Sequence, residues 1–86
     1  HEPGARDFAT DVYSFGAVLY WALTGTVPFA QSEPDFLERV RTHPPVHPRQ
    51  RNPLADPRLC DIALRALAKR PEDRFPSMAA VARALD

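Results

Sequence analysis

The sequence contains very little cysteine and lysine, and each shortage narrows the kinds of protein that it can encode. Its single cysteine, Cys60, cannot form an internal disulfide, which excludes a disulfide-stabilised secreted domain and favours a reducing compartment, the cytoplasm. Lys69 is the only lysine, and the eleven basic residues are balanced by eleven acidic ones. Without an excess of positive charge, the chain is not expected to bind nucleic acid or an anionic membrane.

The sequence also lacks an apolar run long enough to cross a membrane, which needs about 20 residues. Its longest apolar run, residues 11–23, is nevertheless apolar on every side. A surface helix keeps one polar face, so this pattern predicts a helix buried at the centre of a larger domain, with Trp21 in the core. Only ten residues precede the run. We therefore expect the chain to be part of a domain, cut close to its central helix.

Local signals for helix starts and stops divide the chain into segments. Thr10, Ser32, Asp56 and Ser77 are predicted N-caps, and Gly25 suits the left-handed position after a helix. No segment alternates as a strand would, so the predicted fold is all-α with about four helices. The predicted segments are a linker (1–9), the central buried helix (11–24), a short amphipathic helix (33–42), a proline-rich loop (43–56) and two further helices (57–69 and 77–85).

Two motifs resemble eukaryotic-type protein kinases, in their bacterial Ser/Thr form. The first motif is Asp11-Val12-Tyr13-Ser14-Phe15-Gly16, followed by Leu23-Thr24-Gly25 and Pro28-Phe29. The second is Ala66-Leu67-Ala68-Lys69-Arg70-Pro71-Glu72-Asp73-Arg74-Phe75. The resemblance implies that residues 1–86 are the helical C-terminal lobe of an α+β kinase domain. It also implies a parent protein that transfers the γ-phosphate of ATP, with Mg²⁺, to protein Ser/Thr.

The chain itself has none of the kinase motifs that bind ATP or catalyse transfer. It contains no glycine-rich phosphate loop, no His-Arg-Asp loop and no Asp-Phe-Gly. We therefore assign it no catalytic, cofactor-binding or metal residue, and His43, His47 and Cys60 are too few for a structural zinc site. ATP and Mg²⁺ are expected only in the parent. The implied partners are the missing N-terminal part of the kinase domain and a protein substrate or regulator.

The resemblance implies supporting roles for Asp11, Arg74 and Trp21. Asp11 matches the aspartate that accepts hydrogen bonds from the backbone of the catalytic loop; alternatively, it is a plain first-turn residue that faces water. Arg74 matches the arginine that pairs with the glutamate closing the activation segment. In this segment alone, Arg74 is instead expected to be exposed and to pair with Glu72 or Asp73.

The helix at 33–42 is the predicted docking element. Phe36, Leu37 and Val40 form its apolar side, which is either core or a surface for a substrate or regulator. Two other functions stay open at this point. One is a non-catalytic, pseudokinase-like scaffold module, and the other is an independent small helical domain with a fortuitous resemblance.

Overall fold

The structure, a computed structural model, describes the backbone of residues 5–29 and 35–86, and the side chains in these ranges from residue 10 onward. Within these ranges the protein is all-helical and has no strand, as the sequence predicts. It has five α-helices rather than about four, because the proline-rich loop contains a short one. The elements are α1 (Ala5–Thr24), α2 (Phe36–Thr42), α3 (Pro48–Arg51), α4 (Pro57–Ala66), a 3₁₀ turn (Pro71–Asp73) and α5 (Met78–Leu85).

Helix α1 begins earlier than predicted and ends where predicted. It begins at Ala5, so the predicted linker is wrong for residues 5–9, and Thr10 lies inside the helix rather than at its N-cap. No proline or glycine follows Gly4 before residue 16, so nothing in the sequence interrupts a helix there. The rest of the predicted linker, 1–4, lies outside the described residues. At the other end, Gly25 adopts φ 76° and donates its N–H to the carbonyl of Trp21 at 2.7 Å.

The core forms where α1 packs against α4 and α5. Its buried members are Val12, Ile62, Ala66, Phe75 and Val81. Gly16 permits this close approach, because a Cβ atom at that position would lie only 2.7 Å from the Cβ of Ala66. Two small residues therefore set the distance between α1 and α4.

Helix α1 is not buried on every side in the described part of the chain, and Trp21, predicted in the core of a larger domain, is exposed in this segment. Val12 and Tyr20 are fully buried, whereas Val18 is 64% exposed and Trp21 is 57% exposed. Helices α4 and α5 pack against α1 from the side of Val12. An isolated sequence pattern shows that a helix can be buried all round, but not which elements are present to cover it.

The predicted helix at 33–42 is described only as Phe36–Thr42. Its predicted N-cap, Ser32, lies outside the described residues. Asp35 precedes the helix instead of sitting within it, with φ −101° and ψ 25°, and its side chain makes no capping hydrogen bond.

The predicted loop at 43–56 contains helix α3, so it is not wholly irregular. Pro48 occupies the first helical position, where its fixed φ and missing N–H carry no penalty. The Nδ1 atom of His47 accepts the backbone N–H of Arg49 at 3.1 Å and caps the helix. The prediction of a loop treated every proline as a helix breaker and so missed that Pro48 can begin a helix.

The two remaining N-caps are found as predicted. The Oδ1 atom of Asp56 accepts the N–H groups of Arg58 and Leu59 at 2.8 and 3.3 Å. The Oγ atom of Ser77 accepts the N–H of Ala80 at 3.0 Å. Helix α4 ends at Ala66 rather than at residue 69. The carbonyls that follow it are bonded by a side chain of the candidate site instead.

Candidate functional site

Asp11 lies on the exposed face of α1. It is not in the first turn, because the helix begins six residues earlier, at Ala5. The helix dipole therefore does not stabilise its carboxylate, since that effect fades within one turn. Asp11 is exposed, as are Ser14, Val18 and Trp21, and this spacing of three and four residues places all four on one stripe. The stripe is acidic at one end and apolar at the other.

Arg74 follows the 3₁₀ turn, and its side chain bonds the backbone just after the end of α4. Its Nε atom donates to the carbonyl of Ala68 at 2.7 Å, and its Nη2 atom donates to the carbonyl of Lys69 at 3.3 Å. The guanidinium carbon lies 5.0 Å from the ring centroid of Tyr13. These contacts hold the guanidinium plane in one orientation.

The expectation of an exposed Arg74 paired locally is wrong. Arg74 is half-buried, and the neighbouring carboxylate of Glu72 pairs with Arg70 at 2.8 Å. Both partners in that pair are well exposed, so it contributes little to stability. Arg74 instead donates to backbone carbonyls just after the end of α4, where the helix provides no hydrogen-bond partners.

Lys69 is a member of the site that the sequence analysis missed. Its Nζ atom donates to the carbonyl of Val40 at 2.5 Å, and it lies 4.4 Å from the ring centroid of Phe29. Burial lowers the pKa of Lys69 below its usual value, and the positive charge of Arg74 lowers this pKa further. The single lysine of an arginine-rich chain was the one available signal.

An apolar cleft of about 520 Å³ separates α1 from α2. Two of the three predicted docking residues, Phe36 and Val40, line it, whereas Leu37 is 76% exposed. The structure thus splits the predicted apolar side into a cleft-lining pair and one outward residue. The cleft is lined by Tyr13, Ala17, Val27, Pro28, Phe29, Phe36 and Val40.

A second, more polar cleft of about 370 Å³ adjoins the first at Tyr13 and Val40. Three cations line it, namely Arg41, Lys69 and Arg74. Burial raises the pKa of Tyr13, and the charge of Arg74 partly offsets this rise. The two clefts bring the docking residues and Arg74 into one continuous region, which no sequence spacing indicated.

The proline-rich loop is fixed to the end of α1 by long-range hydrogen bonds. The hydroxyl of Tyr20 donates to the carbonyl of Val46 at 2.6 Å, and Nδ2 of Asn52 donates to the carbonyl of Leu23 at 2.8 Å. The Nη1 atom of Arg51 donates to the carbonyl that follows α1, at Val27, at 2.9 Å. These bonds explain why a segment with many prolines is ordered.

Neither a metal centre nor a membrane span is found in the described part of the chain. No three His, Cys, Asp or Glu residues there form a group that could hold a metal ion. Instead, Nδ1 of His43 lies 2.9 Å from Oγ1 of Thr42, His47 caps α3 and Cys60 is buried. None of the helices in residues 5–29 and 35–86 combines the length and apolar character that a membrane crossing requires.

Comparison with known proteins gives relatives of one kind, although no protein-family model matches the chain. It is 41% identical over 75 residues to serine/threonine-protein kinase PknB of Mycolicibacterium smegmatis, a match that covers 85% of this chain and 12% of that protein. It is 38% identical over 82 residues to serine/threonine-protein kinase Pkn1 of Myxococcus xanthus, covering 92% of this chain and 12% of that one. PknB of Mycobacterium tuberculosis is 40% identical over 75 residues.

The curated relatives are thus serine/threonine-protein kinases, and this chain spans about 12% of the length of the first two. The helical architecture of the described residues confirms the predicted all-α class, and the kinase relatives are consistent with a helical C-lobe segment of a protein-kinase-like fold. Gly16, Tyr13 and Lys69 complete the candidate site beyond Asp11 and Arg74. All three lie inside the quoted motifs, but only the packing gives them a role.

Proposed function

We propose that the chain is a C-terminal segment of the catalytic domain of a serine/threonine-protein kinase. The parent would transfer the γ-phosphate of ATP to Ser or Thr of a protein, with Mg²⁺ neutralising the phosphate charge when bound. The observation that carries the proposal is identity of about 40% to bacterial kinases over most of this chain. The buried thiol of Cys60 supports a reducing, cytoplasmic location for this domain.

The segment would support catalysis by positioning rather than by chemistry. Phosphoryl transfer depends on holding its reacting groups in place, and small displacements of them are costly. Helix α1 offers a rigid support, because Gly16 lets it pack tightly on α4. On its exposed face, the carboxylate of Asp11 would accept backbone N–H groups of the catalytic loop. Val18 and Trp21 would be covered by the same part of the parent.

Arg74 would anchor the activation segment through a glutamate of the parent. Its guanidinium plane is already fixed by the carbonyls of Ala68 and Lys69. A planar guanidinium that is held in advance loses less entropy when it binds a carboxylate in a bidentate manner. Half-burial would strengthen such a pair relative to one in water.

Helix α2 would provide the docking surface for a protein substrate or regulator. Its outward residue, Leu37, is 76% exposed and next to the apolar cleft lined by Phe36 and Val40. An exposed helix with an apolar side beside a cleft suits a helix-in-groove or peptide contact. Arg39 and Arg41 on the same helix would favour acidic partner residues.

The proposal is tested by the conservative variant Asp11→Asn in the intact parent kinase. Asp61→Asn, at an exposed residue of α4, is the matched control. We expect Asp11→Asn to lower kcat by roughly 100-fold, the cost of a displaced catalytic group, and Asp61→Asn to leave it unchanged. Near-normal turnover in Asp11→Asn would refute the supporting role. A parent that never turns over ATP, yet still binds partners through α2, would instead be a pseudokinase-like scaffold.

A further inference from the structure

We propose that Lys69 is a positioning residue, which holds the docking helix α2 over its cleft and links it to Arg74. The inference deepens the proposed function, because it concerns the docking and anchoring surfaces assigned above. It rests on contacts at both ends of Lys69: its side chain bonds α2, and its own backbone carbonyl bonds Arg74.

Helix α2 is weakly held compared with the other long elements. It has seven residues, none of them fully buried, and so short a helix is marginal without tertiary contacts. Phe36 and Val40 give it an apolar attachment at the cleft. A polar contact from the rest of the chain would add to this attachment and limit the orientation of the helix.

Lys69 supplies such a contact at the end of α2. The carbonyl of Val40 belongs to the last turn, whose carbonyls lack partners within the helix. The Nζ atom of Lys69, 29 residues away in sequence, donates to it at 2.5 Å. A cation at this end also interacts favourably with the helix dipole. The ring of Phe29, 4.4 Å from Nζ, borders the same cleft and limits where the ammonium group can move.

The other end of Lys69 belongs to the Arg74 turn. Nη2 of Arg74 donates to the backbone carbonyl of Lys69 at 3.3 Å, and Nε donates to the neighbouring carbonyl of Ala68 at 2.7 Å. A displacement of α2 is therefore transmitted through one residue to the carbonyls that orient Arg74. Coupling of this kind is reciprocal, so the state of Arg74 also biases α2. Burial lowers the pKa of Lys69, and the nearby charge of Arg74 lowers this pKa further, which fits the proximity of the two cations.

The test measures amide hydrogen exchange of the 86-residue chain by nuclear magnetic resonance. Lys69→Met keeps the length of the side chain and removes its donors and charge, whereas Lys69→Arg keeps the donors and the charge. Arg83→Met, at an exposed residue of α5, is the matched control. We expect Lys69→Met to raise exchange in α2 roughly tenfold, the effect of losing a charge-assisted hydrogen bond. Lys69→Arg should restore protection, and Arg83→Met should not change it. The Nε–H resonance of Arg74 should shift in Lys69→Met alone.

Two results would overturn the proposal. Unchanged exchange in α2 would show that Lys69 does not hold it, and an equal rise in α2, α4 and α5 would show a general loss of stability instead. If Lys69→Met fails to fold, a measurement on the unmodified chain still tests the contact between Lys69 and Val40. As Lys69 is the only lysine, ¹⁵N-lysine labelling gives one side-chain signal, which must show a hydrogen-bond coupling to the carbonyl carbon of Val40. None of these results depends on kinase activity, so they separate this proposal from the proposed function.

Discussion

Replacing Gly16 with alanine tests the packing on which the whole arrangement depends. A Cβ atom at this position would lie 2.7 Å from Cβ of Ala66, 3.1 Å from Cγ of Leu67 and 3.2 Å from the carbonyl oxygen of Ala63. Overpacking of this kind costs about 1–3 kcal/mol. Alanine's better helix propensity offsets about 0.5–1 kcal/mol of that cost. We therefore expect Gly16→Ala to lower the free energy of unfolding by about 1–2 kcal/mol.

The assay is urea denaturation of the 86-residue chain followed by far-ultraviolet circular dichroism, in which the midpoint should fall while the slope stays constant. Ala66→Gly removes the nearest clashing atom, so the cost of Gly16→Ala should be smaller in that background. Gly25→Ala is the control, since its penalty comes from φ +76° and no atom lies within 4 Å; Ala66→Gly should not relieve it. The packing argument would be refuted if the Gly16→Ala chain were as stable as the unmodified chain. It would also be refuted if the changes in unfolding free energy of Gly16→Ala and Ala66→Gly were strictly additive.

Two further predictions concern the helix cap and the buried thiol. Asp56→Ala should cost about 1 kcal/mol of unfolding free energy, because Asp56 caps α4, whereas exposed Asp61→Ala should cost nothing; equal effects in the same urea titration would contradict the capping role. Burial raises the pKa of Cys60 above 9.0, so the folded state keeps this proton longer than the unfolded state. Stability should therefore be complete below pH 9 and fall above it, with Tyr13 and Tyr20, whose pKa values burial also raises, adding a loss above pH 10. Cys60→Ala should remove the part that begins near pH 9, and an unchanged pH profile of the melting temperature would contradict this assignment.

Features of the fold with local causes could be predicted from the sequence. The caps at Asp56 and Ser77 and the left-handed Gly25 each depend on a few neighbouring residues, and the structure confirms all three. The start of α1 was predicted too late, at the N-cap candidate Thr10, although residues 5–9 contain no proline or glycine that would interrupt a helix. The exposure of Trp21 depends on which elements surround α1, and no local pattern contains that information.

The residues of the candidate site likewise divide into those that a local motif indicates and those that only the tertiary structure reveals. Asp11 and Arg74 lie in recognisable motifs, and their supporting roles remain proposals. Lys69 was missed because its partner, the carbonyl of Val40, is 29 residues away and no local pattern connects the two. Gly16 lies in the first quoted motif, but its role in packing depends on its distance to Ala66 in another helix, which the sequence does not give.

The most direct test of the central claim is the coding DNA sequence immediately upstream of His1, read through about 200 codons, the upper end of ordinary domain sizes. The proposal predicts an open frame that continues into this chain and encodes His-Arg-Asp, then Asp-Phe-Gly and Ala-Pro-Glu, in that order. A start codon beside His1, or a continuous frame without those motifs, would contradict the assignment to an active kinase.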